Sequence, residues 1–163
     1  KNGAKMSTLN SIGLDKTKSK ELADLLNDLL ANYSLFYQNT RGYHWNIKGK
    51  KFFELHVKFE ELYNDLFVKI DEVAERILTL GEISRHAFTD YQKQSEIKAS
   101  EEVSDGDIAV HQILDAFRTL IKKQRVILDL SSEIDDEGTN SMMSDYIREQ
   151  EKLVWMYTAF LDN

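Results

Sequence analysis

An all-α protein, a bundle of four long helices with one long crossover, is the fold class this sequence predicts, and three observations predict it. Its 163 residues include no proline, which would break a long helix by removing an amide donor and clashing with the preceding turn. Apolar residues recur at i, i+3, i+4 and i+7 through four long stretches. The connections between those stretches run short, long, short. A simple up-down bundle has no use for a long middle connection, whereas a bundle with one crossover requires it. The length suits one domain around one core.

The first helix is expected from about Ser19 to Ile47, on the stripe Leu22, Leu25, Leu26, Leu29, Leu30, Tyr33 and Phe36. Lys48-Gly49-Lys50-Lys51 then interrupts the pattern. The second helix should run from Phe52 to Leu80 on Leu55, Phe59, Leu62, Leu66, Val73 and Ile77, with Gly81 as a C-terminal cap. The stretch Gly81 to Ser100 is the crossover, and Arg85–Gln92 within it can form a short extra helix. The third helix is expected from Ser104 to Ser131, carrying Val110, Ile113, Leu114, Phe117, Leu120, Ile121 and Leu128. Asp135-Asp136-Glu137-Gly138 turns the chain, and the fourth helix starts at Thr139 as N-cap, continuing through Met142, Tyr146, Leu153 and Phe160. Residues 1–18, with Lys1, Lys5, Lys16 and Lys18, read as a polar, flexible tail. Residues 19–163 then form a ferritin-like four-helix bundle with a short extra helix in the long crossover linker.

Composition narrows the function classes. No stretch approaches the roughly 20 apolar residues of a membrane span, and no apolar secretory segment opens the chain. Cysteine is absent, which excludes disulfides and thiolate chemistry and fits a reducing, cytoplasmic setting. A net charge of −7 argues against a globally basic nucleic-acid binder and favours the attraction of cations.

The second helix carries two pairs of potential metal ligands, His56/Glu60 and Asp71/Glu75, each spaced i, i+4 and so projecting from one face. Fifteen residues separate the pairs, roughly 22 Å at the helical rise, too far for one ion to touch both. All four nevertheless fall within about 100° around the helix axis. Such a helix completes two sites if an antiparallel copy packs on that stripe, each first half-site meeting the other chain's second. Tyr63, Phe67 and Ile70 share the stripe, while a separate apolar stripe serves the core, so the helix is apolar on more than one face, as expected of a subunit contact. The two-fold axis would pass near Asp65–Leu66. An antiparallel first helix brings His44 beside His56. The predicted site is therefore His44, His56 and Glu60 from one chain with Asp71 and Glu75 from another. Two imidazoles among carboxylates suit iron, manganese or zinc better than calcium or magnesium. Any single acidic pair on a helix is more often a solvated face; the joint alignment is what chance does not readily produce. His86 and His111 have no such support and read as structural or exposed.

The stretch Tyr43-His44-Trp45, Phe52-Phe53-Glu54-Leu55-His56, Lys58-Phe59-Glu60-Glu61-Leu62-Tyr63, Asp71-Glu72 and Ala74-Glu75-Arg76 closely resembles the Dps family, the DNA-binding proteins from starved cells or mini-ferritins. Val154-Trp155-Met156 and Ala159-Phe160-Leu161 resemble that family's last helix. The Glu-x-x-His pairs of the larger ferritins do not occur here. The resemblance implies a hollow homododecamer that stores ferric mineral, with ferroxidase centres at dimer interfaces. His44 and His56 match iron ligands of one subunit, and Asp71 and Glu75 those of its partner. Glu60 occupies a ligand position that is often Asp. Trp45 matches an aromatic residue credited with absorbing oxidising equivalents beside the centre; a core tryptophan is the alternative reading. The short helix of the crossover matches one that lies on the dimer two-fold.

The expected function is that of an iron-storage and detoxification protein that oxidises Fe(II) with hydrogen peroxide, or with dioxygen, and thereby protects against oxidative stress. Glu133, Asp135, Asp136, Glu137 and Asp145 surround the last turn and are candidates for negative entry pores, although an exposed polar turn explains any one of them. The rival class is a nucleoid protein that binds DNA through the lysine-bearing tail of residues 1–18, net +3. Against it stands the −7 of each chain.

Overall fold

The computed structural model describes residues 8–162. Five helices follow one another: α1 Lys16–Asn46, α2 Phe52–Thr79, α3 Phe88–Gln94, α4 Gly106–Glu133 and α5 Glu137–Leu161. Two isolated bridges, Leu9 with Asp15 and Lys48 with Asp105, are the only β-type pairings among the described residues. The all-α, ferritin-like architecture is as the sequence predicts.

The predicted stripes become the core. Leu22, Leu26, Leu29, Leu30, Tyr33 and Phe36 of α1 are buried, as are Leu55, Phe59, Leu62, Leu66, Val73 and Ile77 of α2. Val110, Ile113, Phe117, Leu120 and Ile121 of α4 and Met143, Tyr146, Ile147 and Tyr157 of α5 close the interior. Fully burying one such side chain contributes about 1.5–3 kcal/mol, so this face holds the helices together. Inside it sits a closed polar triangle drawn from three helices. The Tyr33 hydroxyl donates to Gln124 Oε1, Gln124 Nε2 donates to Gln150 Oε1 at 2.7 Å, and Gln150 Nε2 donates back to the Tyr33 oxygen at 2.6 Å.

Helix starts depart from the sequence reading for local reasons. α1 begins at Lys16, earlier than Ser19, because the Asp15 carboxylate caps it by accepting from Lys18 N at 2.9 Å. Upstream, Asn10 organises a turn: its Oδ1 accepts from Leu14 N at 2.9 Å and its Nδ2 donates to Ser19 Oγ at 3.1 Å. Lys16 and Lys18 thus belong to a helix rather than to a tail; Lys1 and Lys5 lie outside the described residues. α5 begins at Glu137 with Asp136, not Thr139, as N-cap. Asp136 Oδ1 accepts from Thr139 N at 3.0 Å, and the buried Thr139 hydroxyl donates to the same carboxylate at 2.5 Å. Arg76 from the end of α2 joins them, donating to Asp136 at 2.6 Å and to Thr139 Oγ1 at 2.9 Å. A Cβ at position 138 would stand 2.7 Å from the Arg76 guanidinium, so Gly138 is what lets that side chain lie flat on the helix start.

The crossover is long yet ordered, since three asparagines of α1 satisfy its backbone. Asn27 donates to Ile83 O at 3.1 Å and accepts from Arg85 N at 2.9 Å. Asn32 Oδ1 accepts from Ser95 Oγ, Glu96 N and Ile97 N, each at 3.1 Å. Asn39 donates to Lys98 O at 2.9 Å and accepts from Ser100 N at 2.8 Å. Irregular backbone must find such partners, and here the side chains supply them. The short helix is present but sits at Phe88–Gln94, shifted from Arg85–Gln92; the Arg85 carbonyl, which a helix starting there would use, accepts instead from the Tyr91 hydroxyl at 2.7 Å.

Candidate metal centre

His44 lies in the last turn of α1 and His56 in the second turn of α2, joined by a short loop in which Gly49 takes φ +110°. The last carbonyls of a helix lack an amide partner within it. Lys48 N, which would otherwise serve His44 O, instead donates to Ser104 O at 2.9 Å. His44 O is left for His56, whose Nδ1 lies 2.7 Å away; reciprocally, His44 Nδ1 lies 2.6 Å from His56 O. A carbonyl only accepts, so each Nδ1 carries a proton and Nε2 is the ring nitrogen that the backbone leaves free. Backbone carbonyls fix metal-binding imidazoles in this same way, setting tautomer and orientation.

The rings themselves are locked by stacking. His44 and His56 are nearly parallel, 3.8 Å between centroids and 11° between planes. Phe52 stacks on His56 at 4.9 Å, and Tyr63 meets His44 edge-on at 5.3 Å. The Tyr63 hydroxyl also reaches Glu60 Oε1 at 3.5 Å. Periodicity marks Tyr63 only as an apolar stripe residue and gives Phe52 no role; the i, i+3 spacing of Glu60 and Tyr63 is the signal in the sequence for the former. His44 is buried and His56 half-buried, whereas Glu60, Asp71 and Glu75 are exposed on α2.

Within one chain the expected ligand set is divided. His44 and His56 stack on each other near the start of α2, Glu60 stands one turn further along and is linked to them only through Tyr63, and Asp71 with Glu75 lies toward the other end. Among the described residues, no group of three or more His, Asp or Glu side chains is placed to hold a metal ion by itself. His86 and His111 are exposed and stand apart from the pair.

Trp45, beside His44 in sequence, is 54% exposed, so the core-tryptophan alternative fails. The Arg41 guanidinium covers its ring at 4.8 Å and lies 5.5 Å from the Tyr37 ring. The acidic turn also needs correcting at one position: Asp136 is buried against Arg76 and caps α5, so it is no pore-lining carboxylate. Glu133, Asp135, Glu137 and Asp145 are exposed, and Asp145 pairs with Arg148 at 3.2 Å.

Residues 23–163 match the family model of the ferritin-like domain. The DNA protection during starvation protein of Porphyromonas gingivalis is 39% identical over 148 residues, covering 91% of this chain and 93% of that protein. An uncharacterised Haemophilus influenzae protein is 56% identical over 149 residues, covering 91% and 93%. A Dps protein from Vibrio cholerae O1, described as a member of a broad superfamily of ferritin-like diiron-carboxylate proteins, superposes with a TM-score of 0.94 at 57% identity, over 95% of this chain and 98% of that one. Dps from Bacillus brevis superposes with a TM-score of 0.86 at 34% identity, over 90% and 98%. With its four-helix bundle, its ordered crossover and its agreement with these relatives along nearly the whole length, the chain belongs to the Dps family of ferritin-like proteins.

Proposed function

We propose that this chain stores and detoxifies iron, oxidising Fe(II) at sites shared between two copies. His44, His56 and Glu60 of one copy hold Fe(II) together with Asp71 and Glu75 of a second copy packed antiparallel on α2. The reciprocally bonded imidazole pair carries the reading: two Nε2 atoms are left free of the backbone at the edge of a carboxylate-bearing face on which the described residues of one chain complete no ligand set. Membership of a family that includes a diiron-carboxylate relative supports iron as the metal. The donor chemistry alone would also accept manganese or zinc.

Iron here is substrate and cargo. Hard carboxylate oxygens favour Fe(III) over Fe(II) and so drive oxidation. Hydrogen peroxide takes one electron from each of two Fe(II) ions, its O–O bond breaks, and two hydroxide ions result, with no hydroxyl radical released. Fe(III) then hydrolyses to ferric oxyhydroxide, which the hollow homododecamer stores. Trp45, half-exposed next to His44, intercepts stray oxidising equivalents. The working compartment is the cytoplasm.

Stopped-flow absorbance tests this. Anaerobic protein with Fe(II) is mixed with peroxide or with air-saturated buffer, and a His44→Ala/His56→Ala variant runs alongside. Fast Fe(III) formation that is quicker with peroxide and collapses in the variant is the expected result. Rates equal to protein-free buffer would remove the ferroxidase reading.

A second reading, binding and compaction of DNA, is favoured by the names of several relatives, which are called DNA protection during starvation proteins. The charge opposes it: twelve chains at −7 sum to about −84, repelling phosphates. A gel shift at low salt that disappears on deleting residues 1–18 would support it, and no shift would dismiss it.

A further inference from the structure

Lys69 is the one lysine of the described residues buried in the core, at 3% exposure, and the proposed iron chemistry makes no use of it. Its ammonium lies 2.8 Å from both carboxylate oxygens of Asp65, one turn earlier on α2, and 2.8 Å from Glu149 Oε2 on α5. It also sits 5.0 Å from the centroid of the Tyr146 ring. Tyr146 is itself buried; its hydroxyl is left without a well-formed hydrogen bond, and the carboxylates of Glu72, Glu149 and Asp65 act on it, Glu72 most strongly. The same ring meets Tyr33 edge-on at 6.2 Å, which joins the cluster to the Tyr33–Gln124–Gln150 triangle. All four long helices therefore contribute to one column that runs from the half-exposed Asp65 and Glu149, past the Tyr146 and Tyr33 rings, to the buried triangle.

Carboxylates projecting inward from facing helices are how bundle cores hold metal ions, and hard oxygen donors with an idle phenol are a cation's ligands. In this chain the cation in that position is covalently attached. The Asp65 and Glu149 side chains remain 44% and 49% exposed, so the pair is open to solvent on one side and an ion has a way in. Lys69 and Asp71 lie about 200° apart around α2, so the column faces away from the half-site at Asp71 and Glu75.

We propose that the bundle interior contains a divalent-cation site, formed by Asp65, Glu149 and Tyr146, that is already filled by the tethered ammonium of Lys69. Lys69 therefore excludes metal from the interior of the bundle. Only the consequence, that iron is left to the site shared between copies, rests on the function proposed above; the occupancy of the bundle does not.

The test uses full-length protein carrying His44→Ala and His56→Ala, so that the outcome is independent of the shared site. Mn(II) is titrated in and the free ion followed by its electron paramagnetic resonance signal. Adding Lys69→Ala is expected to create one further Mn(II) site per chain, and Glu149→Gln on top of it to abolish that site. Lys69→Met, which refills the space with an apolar chain, should add none. Equal uptake by the Lys69→Ala protein and its parent, or extra uptake that survives Glu149→Gln, overturns the proposal. If the Lys69→Ala protein does not fold in metal-free buffer, Mn(II) should restore its helical circular dichroism, and failure to restore it overturns the proposal equally.

Discussion

His44 and His56 show how much of the proposed metal site is set by atoms that would touch no metal. Each ring is pinned by the other residue's backbone carbonyl, so replacing one histidine removes a proposed ligand and also frees the remaining ring to turn. His44→Ala or His56→Ala alone is expected to slow Fe(II) oxidation by about 10–100-fold, the range seen when the groups that orient a ligand are lost. Phe52→Ala, which leaves both imidazoles in place but removes the ring stacked on His56, should weaken Fe(II) binding by a smaller factor, read by anaerobic titration. Asp136 illustrates the opposite case, an acidic residue whose work is structural. Asp136→Ala strands the Arg76 guanidinium and uncaps α5, and should cost about 3–5 kcal/mol in urea denaturation. It should leave the rate of iron entry per folded shell unchanged. A slower entry at unaltered stability would instead return Asp136 to the pore.

At the scale of elements, the crossover depends on α1 rather than on its own periodicity. Asn32→Ala would take the acceptor from Ser95, Glu96 and Ile97 at once and is expected to destabilise by about 2 kcal/mol. Amide hydrogen exchange should quicken at Glu96 and Ile97 before it changes in α2. The bundle also has an alkaline weakness. Burial pushes the phenols of Tyr33, Tyr146 and Tyr157 above the ordinary value of 10.0, and nearby carboxylates add to the shift. Above that pH the unfolded chain releases protons that the native chain retains, so ionisation favours unfolding. Stability against urea should be fully present below pH 10 and fall as pH rises beyond it, with Tyr157→Phe reducing the steepness.

For the whole molecule, the exposed apolar residues fall where the proposed contacts between copies would lie. Phe67 is 60% exposed close to the expected two-fold axis near Asp65–Leu66, and Ile83 and Phe88 of the crossover are 81% and 83% exposed. Apolar surface of this kind is unfavourable in water, and the proposed assembly would cover it. Light scattering should give about 228 kDa, twelve times the 19.0 kDa chain. Phe67→Glu places like charges across the axis and should reduce that mass, and with it the rate of Fe(II) oxidation, while far-ultraviolet circular dichroism stays helical. Rapid oxidation by a dissociated, folded variant would show that one chain suffices and would end the shared-site reading.

Sequence alone determined the four long helices and their core stripes. These follow from periodicity, and a 3.6-residue repeat dictates which side chains share a face before any tertiary contact forms. The same repeat placed His56, Glu60, Asp71 and Glu75 on one stripe. It could not say where helices begin, because Asp15 and Asp136 compete as caps with neighbours of similar propensity, and packing decides between them. Nor could it foresee that Trp45 faces solvent, that Asp136 belongs to Arg76, or that Lys69 enters the core. Each of those depends on a partner more than ten residues away or on the absence of one, and a lone helix leaves its polar side chains in water. The ordering of the crossover was likewise a tertiary decision: asparagines on α1 look like ordinary polar residues until a second segment brings its amides to them.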